Sequence, residues 1–541
     1  MVFHRNVPNF FPDSILFLQE TRYMSAQILL AFVLGYFLLL FVVAWYSSRN
    51  ANNESFFIGN RNSNWKLVAF GMIGTSLSGV TFVSVPGNVG HMGGPDALPN
   101  ALGYFQVVIG YFLGYIVVAY ILLPLYYRLN LTSIYNYLDQ RFGNWAYKTG
   151  ASFFILSRTV GATARLYLVV HILHIFILSQ LHIPFWVSGL VALIMILLYT
   201  FKGGVKTIVY TDTLQTFLMV TGLIVFVWYI LSNLHVSLGE AINAMESKQL
   251  TRLFNTDVNS KSYFLKHIIG GAFITIGMTG LDQEMMQKNI SVKTLGDSQK
   301  NMMTFSVIMV LVNLIFLLLG GLLYIYAYHH GAAFQMKDGA FGFFRNGLNI
   351  TGDNLFPSVA LGLFEPIPSI MSVIFLIALI SALFPSADGA LTALTSSFCI
   401  DILGISKMKN KTEQQKKKIR LTVHLCMAFI FFICILVFRE INSRSIIDKI
   451  LELAGYTYGP LLGLFAFGIL TKRSLPNSWP VALICLASPV LCYFLQMNAP
   501  KFLGGYQIGI EVLLINGLIT FLGLAAISKP SSKSGLYAVG S

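Results

Sequence analysis

The chain has 541 residues, 55% hydrophobic and only 11% charged, with a net charge of +14 at pH 7. A water-soluble globule carries about 25% charged residues, so this balance excludes an ordinary soluble enzyme and points to lipid as the solvent. The positive excess, which in a soluble chain would suggest nucleic acid, reads here as the basic loops of a membrane protein, and no nucleic-acid partner is implied.

Apolar runs of about 18 residues or more predict spanning helices. About thirteen are expected, at 26–46, 65–90, 103–127, 145–180, 183–201, 207–231, 263–286, 303–328, 367–403, 421–438, 446–470, 479–496 and 506–528. Backbone groups in lipid must bond within their own segment, and no ten-residue alternation of a membrane strand appears, so the expectation is all-α and polytopic. Residues 1–23 lack the long apolar centre of a cleavable leader, and Met1 and Met24 are alternative starts. An outside N-terminus places most Lys and Arg in inside connections, including Lys288, Lys293, Lys300 and the dense run Lys407–Arg420. That run reads as a solvated cytoplasmic loop, with anionic lipid or a protein as the sharper alternative.

In chain order, the second span crowds Gly71, Gly74, Thr75, Ser76, Ser78, Gly79 and Thr81 at its middle, before Pro86 and Gly87. Gly and Pro weaken a helix, and unwound backbone at membrane depth is tolerated only against protein or water. Freed carbonyls and hydroxyls are hard oxygen ligands; close helix packing through small residues is the alternative. The fourth span carries Arg158 and Arg165, seven apart and so on one face. A guanidinium at that depth must pair with a substrate anion or a carboxylate such as Asp282, Asp388 or Asp212. His171 and His174 lack a third metal ligand and read as packing or pore-lining residues.

Asp212 opens the sixth span, as a cation relay or an interfacial helix start. The seventh span has a Gly-flanked polar break from Gly277 to Glu284, containing Asp282 and Gln283. The ninth places Pro385, Ser386 and Asp388 at membrane depth; Pro385 removes an amide donor and frees a carbonyl near Ser381. Glu452 lies early in the eleventh. Two broken spans separated by four intact ones suggest an inverted repeat with its binding site at the breaks. The chain then reads as one membrane domain: 1–64 a tail and extra span, 65–231 and 262–470 the two repeats, 471–541 two further spans and a tail. The five cysteines fit neither a zinc site nor a disulfide framework, and no Walker loop supports direct use of ATP.

Four passages carry a family resemblance: Phe56–Arg61, Tyr199–Thr207 followed by Asp212 and Gln215, Ser381–Asp388 through to Asp401, and Tyr458–Phe465 with Gly468. With the spans, they resemble the sodium/solute symporter family, whose members include sodium-coupled galactose, proline and sialic acid transporters. The resemblance implies a leucine-transporter-like five-plus-five inverted repeat. It also implies a Na⁺ site from the carbonyls of Gly74, Leu77 and Ala382 with hydroxyl positions at Pro385 and Ser386. Pro385 departs from that pattern, so the site uses fewer side-chain ligands or borrows Thr392 or Asp212. Some relatives bind a second sodium at serine positions occupied here by Asp388 and Gly389, with an aspartate matching Asp212; coupling of one sodium per solute is therefore expected. Thr81 and Asp282 match sugar-binding positions, and Arg158 and Arg165 are the two candidates for the single arginine that sialic acid relatives use in this span. The function implied is import of a small organic solute, anionic or sugar-like, across the cytoplasmic membrane. Its partners are that solute and membrane lipid, with no obligatory protein partner and no enzymatic chemistry. Proton coupling through Asp388 or Asp212, or a non-transporting sensor, are the alternatives.

Overall fold

The computed structural model describes residues 26–49, 53–92, 97–174, 178–179, 181–337, 340–345, 348–362, 364–441 and 446–530; both alternative starts and Lys533 lie outside them. Among these residues nine helices are long and apolar enough to cross a membrane, and two bent pairs raise the number to eleven. Two more apolar helices, Phe185–Thr200 and Val512–Ile527, are shorter than a full crossing. The expected spans each overlap one of these segments, although by length and composition only eleven qualify as crossings.

The first broken helix follows from its residues. Asn64 caps its start by accepting the Lys66 amide at 3.0 Å. The helix Trp65–Ser76 stops where Leu77 and Ser78 turn extended, and resumes at Gly79–Asn88; the two parts are bent by 61°. The second break is built differently. Helix Phe264–Thr275 widens into a π-turn at Ile276–Gly280 and restarts at Gln283–Ile290, 65° away. There the Asp282 carboxylate accepts the amides of Glu284 (2.9 Å) and Met285 (3.2 Å), supplying the half-helix with its cap.

Lipid turns the usual packing logic around. Large apolar side chains such as Leu38, Trp45, Phe217, Trp228, Phe429 and Leu486 point outward, while polar groups are held inside, where other protein satisfies them. Helices Tyr104–Val117 and Phe264–Thr275 touch backbone to backbone: a Cβ on Gly114 would stand 2.5 Å from the Ala272 carbonyl, and one on Gly271 2.5 Å from that of Val107. Such small-residue seams are how helices associate without a hydrophobic driving force. Helix Ser369–Ser397 lies at the centre, with every residue from Phe375 to Ser397 buried except Ile377. Tyr36, on the first span Ala26–Ser47, reaches this centre: its hydroxyl takes hydrogen bonds from Ser381 (3.1 Å) and Gln215 (3.2 Å).

The connection after His329, where no span is expected, forms a small antiparallel sheet, β1 Phe334–Lys337, β2 Ala340–Arg345 and β3 Leu348–Asn349, in which Phe334 pairs with Phe343 and Phe344 with Asn349. One expectation is corrected. Lys288, assigned above to an inside loop, belongs instead to the buried half-helix Gln283–Ile290 and is 3% exposed. The break at Asp282 redirects the chain, so that one more buried turn follows where the apolar run had ended.

Candidate functional site

A cavity of about 90 Å³ opens beside the first break, lined by Thr75 to Ser78, Thr81, three tyrosines (Tyr104, Tyr111, Tyr115), Arg158, Arg165 and Asn313 among others. A wider vestibule of about 410 Å³ lies on the face carrying the 248–266 connection, bordered by Arg252, Lys261, His267 and Glu452. Tyr104 lines both spaces, and its hydroxyl lies 3.3 Å from that of Tyr111. It therefore stands between the vestibule and the inner cavity.

The two arginines have different surroundings. Arg158 pairs with Glu284 and lies 3.8 Å from Asp282. Its charge is spent on carboxylates of the second break, as the structural alternative required, with Glu284 as the main partner rather than any of the three aspartates expected. Arg165, two turns further along the same face of helix Asn144–Leu173, makes no hydrogen bond or ion pair among the described residues, although only 9% of it is exposed. Its guanidinium lines the cavity. Asn313 donates to the Met309 carbonyl at 2.8 Å, leaving its Oδ1 buried without a partner at the same cavity. Buried charges and polar atoms are normally satisfied, so an unpaired cation and an open acceptor around one space describe a place for a ligand.

Asp282 and Gln283, the former matching a sugar-binding position by resemblance, do not line this cavity. Asp282 caps its half-helix, accepts the Tyr458 hydroxyl at 2.6 Å and sits by Arg158. Gln283 accepts the Ile134 amide at 2.9 Å and donates to the Thr132 carbonyl at 3.0 Å. Their polar atoms are used in joining the second break to its neighbours. Thr81 does reach the cavity, 8% exposed.

The positions implied for sodium lie where three helices meet. A Cβ on Gly74 would stand 3.3 Å from the Pro385 ring and 2.5 Å from Thr216 Oγ1, and the Gly74 amide donates to that hydroxyl at 3.0 Å. The first broken helix is thereby brought against Pro385 of the central helix, whose neighbouring turns hold Ala382 and Ser386, and against Thr216 of helix Val205–Leu234. Leu77 supplies the extended backbone at the break. The Ser386 hydroxyl donates to the Leu383 carbonyl at 2.8 Å, which leaves its oxygen able to accept or ligate. Thr392 Oγ1 is buried without a hydrogen-bond partner.

Asp212 is not interfacial. It is 1% exposed, accepts Thr75 Oγ1 at 3.1 Å, and pairs with Lys288 Nζ at 2.7 Å. Asp388 is held separately, by the Tyr199 hydroxyl at 2.8 Å and the Gly389 amide at 2.5 Å. The buried charges thus run as a chain from Asp282 through Arg158, Glu284 and Lys288 to Asp212. Sequence reasoning missed Lys288, the tyrosine cluster, Asn313 and Thr216. The four-residue spacing of Glu284 and Lys288 on one helix face was the available signal for Lys288. His171 stacks on the Tyr167 ring, and His174 meets the edge of the Phe185 ring and shares a hydrogen bond with the Ser188 hydroxyl at 3.0 Å. The described cysteines are all free.

Comparison with known proteins gives this site its context. The profile of the sodium:solute symporter family matches residues 56–477. The sodium/sialic acid symporter of Aliivibrio fischeri is 24% identical over 89% of this chain and 90% of its own length. The bovine sodium-coupled monocarboxylate transporter 2 is 25% identical over 82% and 68%. A solved Na⁺-coupled sialic acid symporter, in a substrate-bound outward-open state, superposes with a TM-score of 0.75 at 19% identity, covering 93% of this chain and 99% of that one; that likeness shows the fold. The relatives are transporters, and the coupling ion of the family is Na⁺. The chain belongs to the sodium:solute symporter family and is a multi-pass, sodium-coupled symporter of a small solute.

Proposed function

We propose that this symporter imports a small anionic solute bearing hydroxyl groups, of the sugar-acid kind, with Arg165 as its carboxylate-binding group. The observation that carries this reading is the unpaired, nearly buried Arg165 guanidinium at the central cavity. Arginine is suited to planar, bidentate recognition of a carboxylate, and the open Asn313 Oδ1 and the Thr81 hydroxyl complement a solute's hydroxyls. The cationic rim of the vestibule, Arg252 and Lys261, raises the local concentration of an anion. The sialic acid substrates of the Aliivibrio relative belong to this chemical class. At about 90 Å³ the cavity falls below the roughly 300 Å³ of an ordinary ligand pocket, so a sugar acid enters only as the helices part around it.

Sodium is placed at the carbonyls of Gly74, Leu77 and Ala382 with the Ser386 hydroxyl; Pro385 contributes no ligand side chain and instead abuts Gly74. An ion there ties the first break to the central helix and lowers the cost of forming the solute pocket. The orientation follows from the basic connections: N-terminus outside, C-terminus inside, in the cytoplasmic membrane. No catalytic role is assigned to any residue, and lipid is the only macroscopic partner required.

The test is uptake into proteoliposomes under an imposed sodium gradient, with choline in place of sodium as control. Sialic acid, smaller sugar acids, monocarboxylates and neutral sugars are compared for wild type and Arg165→Gln. Sodium-driven accumulation of an acid, lost in Arg165→Gln, upholds the reading. Accumulation of neutral sugars alone would overturn the substrate class, and equal uptake in choline driven by a proton gradient would favour a relay through Asp388 or Asp212.

A further inference from the structure

Among the described residues the most enclosed cluster of charge outside the cavity surrounds Lys288. Its ammonium lies 2.7 Å from Asp212 Oδ2, 2.6 Å from Thr75 Oγ1 and 3.6 Å from Glu284 Oε1. These oxygens come from three elements: the first broken helix, the Asp212 helix and the half-helix that carries Lys288 itself. The fourth wall is the central helix, which approaches through Gly389. A Cβ at that position would run into Glu284 and stand 3.1 Å from the Lys288 ammonium. Asp388 adjoins on the same turn, occupied by Tyr199 and the Gly389 amide. Asp212 Oδ1 is buried without a hydrogen-bond partner.

Resting on the sodium-coupled reading above, we infer that Lys288 is a tethered cation that fills the second cation position of this transporter. A monovalent ion held by Asp212 needs what the ammonium already has: a carboxylate, a hydroxyl and a further negative group in a dry shell. A free sodium ion in the same shell would sit in contact with a like charge at low dielectric. The side chain missing at Gly389 is the space that Lys288 and Glu284 use. Because the lysine cannot leave the protein, this position neutralises Asp212 without carrying charge across the membrane. Its place on the half-helix after the second break also lets movement of that segment shift the cation relative to Thr75, next to the Gly74 carbonyl of the remaining sodium position.

Equilibrium binding of radiolabelled sodium to the purified full chain in nanodiscs, with no solute present, tests this independently of what is transported. The expected result is one more bound sodium in Lys288→Gln than in wild type, and a return to the wild-type number in Asp212→Asn/Lys288→Gln. An unchanged number in a folded Lys288→Gln protein overturns the inference. If wild type binds no sodium but Lys288→Gln binds one, the tethered cation stands and sodium coupling at the other position fails. If Lys288→Gln does not fold, the wild-type number decides: two sodium ions overturn the inference, and one or none uphold it.

Discussion

Two arginines seven residues apart on one helix receive opposite duties from their surroundings. Arg158 faces Glu284 and Asp282, so its removal leaves Asp282 buried without a counter-charge and Glu284 with Lys288 alone. Breaking one side of such a pair costs about 3–5 kcal/mol, and Arg158→Gln is expected to lower the unfolding temperature of the detergent-solubilised protein markedly; an unchanged melting curve would remove the structural role. Arg165 has no such partner, and Arg165→Gln is expected to melt like wild type. Its cost falls on the solute: loss of charged hydrogen bonds worth about 1.5–3 kcal/mol predicts a KM for an anion raised roughly ten- to hundred-fold. Comparable losses in both variants, in both assays, would contradict this division. Residue chemistry alone could not make it, because composition and spacing treat the two arginines alike.

At the scale of elements, function concentrates where helices are interrupted, and the two interruptions have different causes. The first comes from a local run of Gly, Ser and Thr and was legible as such; the second depends on Asp282 capping a half-helix after a π-turn. The contact between the first break and the central helix is tight at Gly74. Gly74→Ala places a methyl 2.5 Å from Thr216 Oγ1 and 3.3 Å from Pro385. Overpacking of this kind costs about 1–3 kcal/mol and separates the helices that bracket the proposed sodium. Thermal stability is expected to fall, with the sodium concentration for half-maximal uptake rising several-fold. Adding Thr216→Ala relieves the clash on one side, and recovery of stability in that double variant checks the cause. A Gly74→Ala protein with wild-type sodium dependence would place the ion elsewhere.

For the whole molecule, the vestibule, Tyr104 and the inner cavity lie in series, and Tyr104 is expected to limit passage from one space to the other. Tyr104→Ala removes the side chain shared by both spaces. A cysteine at Thr81, introduced after Cys426 and Cys434 are replaced by serine, is then expected to react faster with a membrane-impermeant thiol reagent than it does with Tyr104 intact; equal rates would deny the tyrosine its gating role. Linkage adds a second expectation: solute must tighten sodium binding by the same factor by which sodium tightens solute binding, measurable as two reciprocal titrations. One sodium moving with one monoanion carries no net charge, so an inside-negative potential is expected to leave uptake of the acid unchanged, whereas a net positive charge would gain about 2.3 kcal/mol per 100 mV; a clear acceleration would indicate more than one sodium per solute or a neutral solute.

The membrane architecture, the places where helices break and the family likeness were readable from the chain in isolation. Lipid imposes them locally: apolar length sets each crossing, and glycine, proline and hydroxyl residues mark where backbone leaves the helix. Which charges meet was decided only by the fold. Lys288 finds Asp212 76 residues away and Arg158 finds Glu284 at a separation of 126, pairings that no local pattern records. A lysine placed just beyond an apolar run reads as a loop residue until the bend at Asp282 returns it to the interior. Arg165 is left open for the proposed solute because the neighbouring carboxylates are turned toward Arg158. Desolvation makes every buried charge choose a partner, and only the three-dimensional crossing of helices determines which partners are within reach.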